Sequence, residues 1–191
     1  GSGQDEQWIP ALQQALPVAC NGIMTLSNFI ARLNWRQIVI HFAACVFFIF
    51  AFTTLSYLYD TKIVDIARLG NLGFDEAVKN NKLTAPDLTY FVLWTSISGT
   101  IGLLVAFLIS LFISIKRRWF WVNSLIVLLT LYFLMWFTDF GWNYLRKYFW
   151  APGRLFSNTT TEFIVNGTLL IGIGLLLFFT NWTNQFIKQK K

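Results

Sequence analysis

Charged residues are scarce in this chain, and four long stretches contain none. Asp, Glu, Lys and Arg make up 13% of its 191 residues, whereas about 25% is usual in a soluble domain. The charge-free stretches are residues 37–59, 88–115, 119–137 and 163–187. As an α-helix, each of them is long enough to cross roughly 30 Å of hydrocarbon. The composition therefore excludes an ordinary soluble domain and predicts an all-α polytopic membrane protein.

Residue types that carry chemistry are also few. The chain has one histidine and two cysteines, and the predicted external segments, residues 60–87 and 138–162, contain no cysteine. This argues against four-span proteins of the claudin or tetraspanin kind, whose external loops depend on cysteine pairs. No metalloprotease, nucleophile-elbow, redox-dithiol, Walker or Rossmann pattern occurs, and the four charge-free stretches hold no carboxylate. The sequence thus predicts no cofactor and no metal, and it favours a non-enzymatic protein.

The predicted fold is a four-helix transmembrane bundle over residues 35–187. Its spans are expected near residues 37–59, 88–115, 119–137 and 163–181, followed by a basic tail at residues 188–191. The motif Thr84-Ala85-Pro86-Asp87 resembles a capping box with an early proline, so it predicts a clean start of the second span. Residues 159–162 offer a second capping box at the start of the fourth span.

The segment before the first span has a different pattern. Residues 4–34 contain two prolines and many amides, and apolar side chains recur there at helical spacing, namely Ile23, Leu26, Ile30 and Leu33. This predicts an amphipathic helical segment at the cytoplasmic membrane interface. A helix docked on a partner subunit would explain the same stripe equally well. Residues 1–3 are interpreted as a cloning remnant.

Basic residues predict the orientation. If the N-terminal segment, the link Lys116-Arg117-Arg118 and the C-terminal tail share one side, the whole formal net charge of +6 falls there and the other side is balanced. The positive-inside rule assigns such a side to the cytoplasm. Both termini are therefore predicted to be cytoplasmic, and the short loops favour a bacterial inner membrane. The basic clusters flank the spans, so the expected partners are membrane lipids rather than nucleic acid.

The clearest pattern within a span is a strip of small side chains that recurs every fourth residue in the second span: Ser98, Gly102, Ala106, Ser110 and Ser114. Small residues at this spacing allow another helix to approach closely. We expect a helix of the same chain to pack there, with a second copy or a partner protein as the alternatives. Asn166, Thr168, Gly172 and Gly174 similarly indicate close helix contact in the fourth span.

Three polar side chains inside the spans are candidates for function. His41 and Cys45 lie one helical turn apart in the first span, and Asn123 lies in the third. Polar groups are costly in the hydrocarbon region, which makes them functional candidates by default. Hydrogen bonds that join helices are the favoured explanation for His41 and Asn123, and Ser110 or Ser114 is a partner within reach of Asn123. A proton or ligand role for His41 is the alternative.

A third candidate site lies at the external end of the third helix. Polar and aromatic residues alternate there at neighbouring helical positions: Asp139, Trp142, Asn143, Arg146 and Lys147. Such a ledge can hold a lipid headgroup, although charges that solvate the exposed end of a helix produce the same pattern.

The sequence leaves three functions open. The first is a non-enzymatic membrane subunit or scaffold that assembles with itself or with a partner membrane protein. The second is a small oligomeric channel lined by Thr95, Ser96 and Thr100. The third is a lipid-binding or lipid-modifying protein that uses the external ledge.

Overall fold

The computed structural model describes residues 28, 30–60, 62–63, 66, 76, 78–79, 83–137 and 148–188. The described chain is all-helical and contains no strand, as predicted. It divides into two compact units, Gly1–Asn34 and Trp35–Lys191. In the first unit only Asn28 and residues 30–34 are described, so most of the predicted interfacial segment lies outside the described residues. Every helix named below belongs to the second unit.

Five α-helices of the second unit have described bounds. They are α1 (Trp35–Ser56), α2 (Ala85–Lys116), α3 (Val122–Phe137), α4 (Thr159–Phe179) and α5 (Asn181–Lys188). Two short 3₁₀ turns, Tyr57–Tyr59 and Pro152–Leu155, follow α1 and precede α4. We call the end with the Lys116-Arg117-Arg118 link and Lys188 the basic end, and the end with the two 3₁₀ turns the loop end.

Three helices are long and apolar enough to cross a membrane: Trp35–Tyr59, Ala85–Lys116 and Thr159–Phe179. The described part of α3 is also apolar but has only 16 residues, which rise about 24 Å. The sequence prediction is thus confirmed at the level of three candidate spans. A fourth span at α3 stays a prediction.

Side-chain caps fix where α2 and α4 begin. The Thr84 hydroxyl accepts from the Asp87 backbone N–H, and the Asp87 carboxylate accepts from the Thr84 backbone N–H, which completes the predicted capping box. For α4 the cap lies one residue before the predicted box. Asn158 is the N-cap, because its side-chain oxygen accepts from the Thr160 backbone N–H at 2.9 Å.

The central helix of the arrangement is α1. It packs extensively against α2 and α4 and also contacts α3, whereas α2 packs on α3. Among the described residues α4 has no extensive contact with α2 or α3. The most apolar stretch of α1 is 67% buried, against 39% in α2 and in α4. The helices therefore surround α1 rather than form a closed ring, and the four-helix bundle remains unconfirmed.

Three apolar clusters lie among the described residues, and the smallest of them joins Phe50 and Ala51 of α1 to Leu170 of α4. The other two differ in size. The larger cluster joins α1, α2 and α3 through Ala44, Cys45, Phe48, Leu103, Ala106 and Leu131. The smaller one lies at the loop end, where the Tyr57 ring meets Phe163 and Trp150 edge-on at centroid distances of 5.8 and 5.7 Å. Edge-on aromatic pairs contribute about 0.5–1.5 kcal/mol beyond the area they bury. This cluster holds the 148–156 segment against the helices.

Candidate functional site

The small-residue face of α2 lies against α1. All five of its residues are buried. At Gly102 an added Cβ would lie 2.8 Å from the Phe48 carbonyl oxygen and 2.9 Å from Phe52 Cβ. The two backbones meet so closely there that only glycine fits. From Gly102 to Ser114 the face is therefore occupied within this chain, whereas Ser98, at its loop end, also lines a groove between α1 and α2.

Six buried polar side chains form one hydrogen-bonded network near the basic end. We call it the polar core; its members are Gln37, His41, Ser110, Ser114, Asn123 and Ser124, and each is at most 1% exposed. They come from α1, α2 and α3, so the network joins three helices. Interhelical hydrogen bonds of this kind contribute about 0.5–2 kcal/mol each in membranes.

Gln37 bridges α2 and α3. Its Nε2 donates to Ser114 Oγ at 2.9 Å, and its Oε1 accepts from Asn123 Nδ2 at 2.7 Å. Both halves of the amide are used, as a buried amide requires. Sequence reasoning treated Gln37 only as the first residue of a span. Its position one helical turn before His41, on the same face, was the signal that it shares the same polar environment.

His41 is bonded to the small-residue face. Its Nδ1 lies 2.6 Å from Ser110 Oγ, and Ser110 in turn donates to Ser124 Oγ at 2.8 Å. The imidazole also meets the Phe178 ring edge-on, with centroids 5.3 Å apart. Ser124 thus contacts the strip of small residues in α2, whereas Asn123 is hydrogen-bonded to Gln37 in α1.

Cys45 lies one turn further along α1 and has a different environment. It is 1% exposed and belongs to the large apolar cluster. It is a free cysteine. In the described part of the chain, no group of three His, Cys, Asp or Glu side chains converges to hold a metal ion. The Cys45 thiol therefore packs as a small apolar side chain.

A cavity of about 170 Å³ lies between α1, α2 and α3 toward the loop end. We call it the loop-end cavity. Its apolar walls include Ile49, Gly99 and Met135, and its polar groups include Thr54 and Thr95. Thr54 Oγ1 accepts from Trp150 Nε1 at 2.9 Å. Thr95 Oγ1 is buried and has no hydrogen-bond partner among the described residues.

An apolar groove runs along the outside of α1 and α2. This α1–α2 groove has a volume of about 340 Å³ and is lined by Phe52, Leu55, Ser56, Trp94, Ile97, Ser98 and Ile101. Trp94 Nε1 donates to the Ser56 carbonyl at 3.2 Å, which ties the two helices together at the loop end of the groove. Leu55 also fills the space that a Cβ at Gly167 would need. Leu55 therefore contacts α4 as well as the groove.

The predicted external ledge lies outside the described residues. This applies to all five of its members, Asp139, Trp142, Asn143, Arg146 and Lys147.

Three apolar helices of membrane-spanning length, two of which a buried polar network joins to the apolar α3, are the features of a helical integral membrane protein. Comparison with protein-family models, curated proteins and solved structures found no significant match to this chain.

Proposed function

We propose that this protein is a non-enzymatic subunit or scaffold of a membrane assembly, and that the α1–α2 groove receives a transmembrane helix of a second copy or of a partner protein. The open arrangement of helices around α1 carries this proposal. Because α4 does not close onto α2 among the described residues, part of the central helix faces an open groove. A closed bundle would bury that surface itself.

The lining of the groove suits a helix. Ser56 and Ser98 are small, so the backbone of an incoming helix can approach closely. Ile97 and Ile101, which are 54% and 48% exposed, flank the small residues with branched apolar side chains. Lipid chains fill irregular surfaces, but a groove with small residues between branched ones is typical of helix–helix contact.

The proposed topology has four spans, with α3 as the third and both termini in the cytoplasm of a bacterial inner membrane. The described α3 has tryptophans at or next to each end, Trp121 and Trp136, and aromatic rings favour the two membrane interfaces. The basic end carries Lys116, Arg117, Arg118 and Lys188. This excess supports a cytoplasmic assignment for that end.

The test is the mass of the particle extracted into nanodiscs directly from the host membrane, measured by native mass spectrometry. We expect a mass above the 22.1 kDa of one chain, which Ile97→Trp lowers to that of the monomer because the indole fills the groove. Val92→Trp is the matched control, since Val92 is 58% exposed on the same helix and does not line the groove. A wild-type monomer, or equal loss in both variants, would contradict the proposal.

A second candidate function is the binding of a small amphipathic molecule such as a lipid in the loop-end cavity. The buried Thr95 hydroxyl favours it, because an unsatisfied polar group beside apolar walls suits a ligand with one polar group. Thr95→Val should then abolish copurification of that molecule, while Thr100→Val leaves it unchanged, because the Thr100 hydroxyl bonds only the Ser96 carbonyl of its own helix.

A pore within one copy has little support. Two of the predicted lining residues, Thr95 and Ser96, line the loop-end cavity. Between that cavity and the polar core, however, Leu103, Ala106 and Leu131 are at most 1% exposed and fill the space between the helices. A pore between copies stays an alternative that an ion-flux measurement in liposomes tests.

A further inference from the structure

A polar pocket of about 380 Å³ lies at the basic end, between the link that joins α2 to α3 and the last helix, α5. We call it the basic pocket. Its lining consists of two cations and three amides: Arg117, Asn181, Asn184, Gln185 and Lys188. The four α5 residues recur at helical spacing and so share one face of that helix.

Arg117 is held in place on several sides. It caps α2, and its backbone N–H donates to the Ile113 carbonyl at 2.9 Å. The guanidinium lies over the Trp119 ring, 5.1 Å from its centroid. Its Nη1 is buried and has no hydrogen-bond partner in the described part of the chain. Burial lowers the pKa of Arg117, which is the effect of a cation whose surroundings do not compensate its charge.

Helix α5 is also fixed in position. Thr183 and Ile187 are 2% exposed, and the Arg36 guanidinium lies 4.9 Å from the centroid of the Phe186 ring while its Nη1 donates to the Phe186 carbonyl. The opposite face of α5 presents Asn184 to the pocket. Asn184 Oδ1 is buried and has no hydrogen-bond partner among the described residues. The pocket thus holds one buried donor and one buried acceptor that do not satisfy each other.

The described elements that build the pocket carry no carboxylate that would balance this charge. Residues 113–123 and 180–188, which build this end of α2, the link and α5, contain no Asp or Glu. An anion in the pocket would therefore meet uncompensated positive charge. Arginine and amide groups on rigid elements are typical of phosphate sites, because guanidinium N–H groups match phosphate oxygens and amides add further donors.

We propose that the basic pocket binds a phosphomonoester group, either as inorganic phosphate or as the headgroup of a phosphatidic acid at the membrane surface. The donor and acceptor in the pocket distinguish this ligand from other anions. An unprotonated phosphate oxygen accepts from Arg117 Nη1, and a protonated one donates to Asn184 Oδ1. A phosphomonoester carries both kinds of oxygen near its second pKa of about 6, whereas a carboxylate or a phosphodiester only accepts.

The test uses the full chain in nanodiscs of phosphatidylcholine that contain equal small amounts of phosphatidic acid and phosphatidylethanol, an anionic phosphodiester whose headgroup has no hydroxyl donor. Native mass spectrometry then measures which anionic lipid stays bound. We expect preferential retention of phosphatidic acid. Arg117→Gln should reduce it about tenfold, which corresponds to one charge-assisted hydrogen bond. Arg118→Gln is the matched control, because it makes the same charge change at a neighbouring residue that does not line the pocket.

A second variant keeps the charge. Asn184→Leu removes the buried acceptor, so it should reduce the preference for phosphatidic acid over phosphatidylethanol while Arg117 remains. Equal retention of the two lipids by the wild type, or equal losses in the Arg117 and Arg118 variants, would show that net charge alone acts and would overturn the proposal.

The source of the phosphate is settled by competition. Inorganic phosphate in millimolar excess either displaces phosphatidic acid, which assigns the site to the phosphate group itself, or leaves it bound, which assigns the site to the lipid. Binding of neither overturns the proposal.

Discussion

Asn123 donates a 2.7 Å hydrogen bond to the side-chain oxygen of Gln37, across 86 positions of the chain. This bond joins α3 to the central helix. We expect Asn123→Leu to lower the free energy of unfolding by about 1–3 kcal/mol, because Gln37 Oε1 loses this donor in an interior where water is scarce. The apparent melting temperature in nanodiscs measures the effect.

Two variants make that prediction specific. Thr100→Val, which removes a hydroxyl bonded only within its own helix, should change the melting temperature little. In the double variant Gln37→Leu/Asn123→Leu, the two single losses should sum to more than the combined loss, because the pair is removed together. Strict additivity would mean that the bond does not couple the helices.

His41 is expected to be a structural residue. Replacement by Ala removes a ring that is 1% exposed and leaves a cavity, at a cost of about 2–5 kcal/mol. Ser110→Ala removes the hydroxyl that bonds both His41 Nδ1 and Ser124 Oγ, so its smaller cost of about 0.5–2 kcal/mol reports the loss of hydrogen bonds without the cavity. Thermal unfolding ranks the two variants. Unchanged stability in His41→Ala, with loss of assembly or ligand binding, would instead support a proton or ligand role.

Two glycines in the spans should respond oppositely to the same substitution. At Gly102 an added Cβ meets the Phe48 carbonyl oxygen at 2.8 Å and Ile49 Cα at 3.2 Å, and backbone atoms do not move aside cheaply. Gly102→Ala should therefore destabilise the protein by about 1–3 kcal/mol. Gly172→Ala meets nothing within 4 Å, so it should be neutral or slightly stabilising. Similar melting temperatures for the two variants would contradict the close approach of α1 and α2.

Local signals in the sequence account for much of the helical structure. Charge-free runs identify the three candidate spans, and the Thr84–Asp87 capping box gives the start of α2, because both depend on residues close together in the chain. The position of α1 at the centre was not predictable in the same way. All the spans are apolar on every side, so periodicity does not tell which helix is surrounded by the others.

The polar core could also be predicted from the sequence only in part. The sequence identified His41 and Asn123 from the rarity of polar residues in spans, but it did not identify Gln37 or Ser124. A glutamine at the edge of a span is usually interpreted as a boundary residue, and serine is common in membrane helices. Only the register between α1, α2 and α3 brings these side chains together, and register depends on packing between residues that are distant in the chain. The basic pocket depends on the position of α5 in the same way.

The 3₁₀ turn before α4 depends on one side chain. Asn166 Oδ1 accepts from the Gly153 backbone N–H at 2.7 Å, and its Nδ2 donates to the Trp150 carbonyl at 3.2 Å. Both bonds are buried, so this amide satisfies the Trp150 carbonyl and the Gly153 N–H. Asn166→Ala should therefore speed hydrogen exchange at the Gly153 amide by about tenfold or more, as expected for a lost bond worth 1–2 kcal/mol. Ile164→Ala, two positions earlier on the same helix and 46% exposed, should leave that exchange unchanged. Equal protection in both variants would mean that the aromatic contacts of Trp150 alone hold the turn.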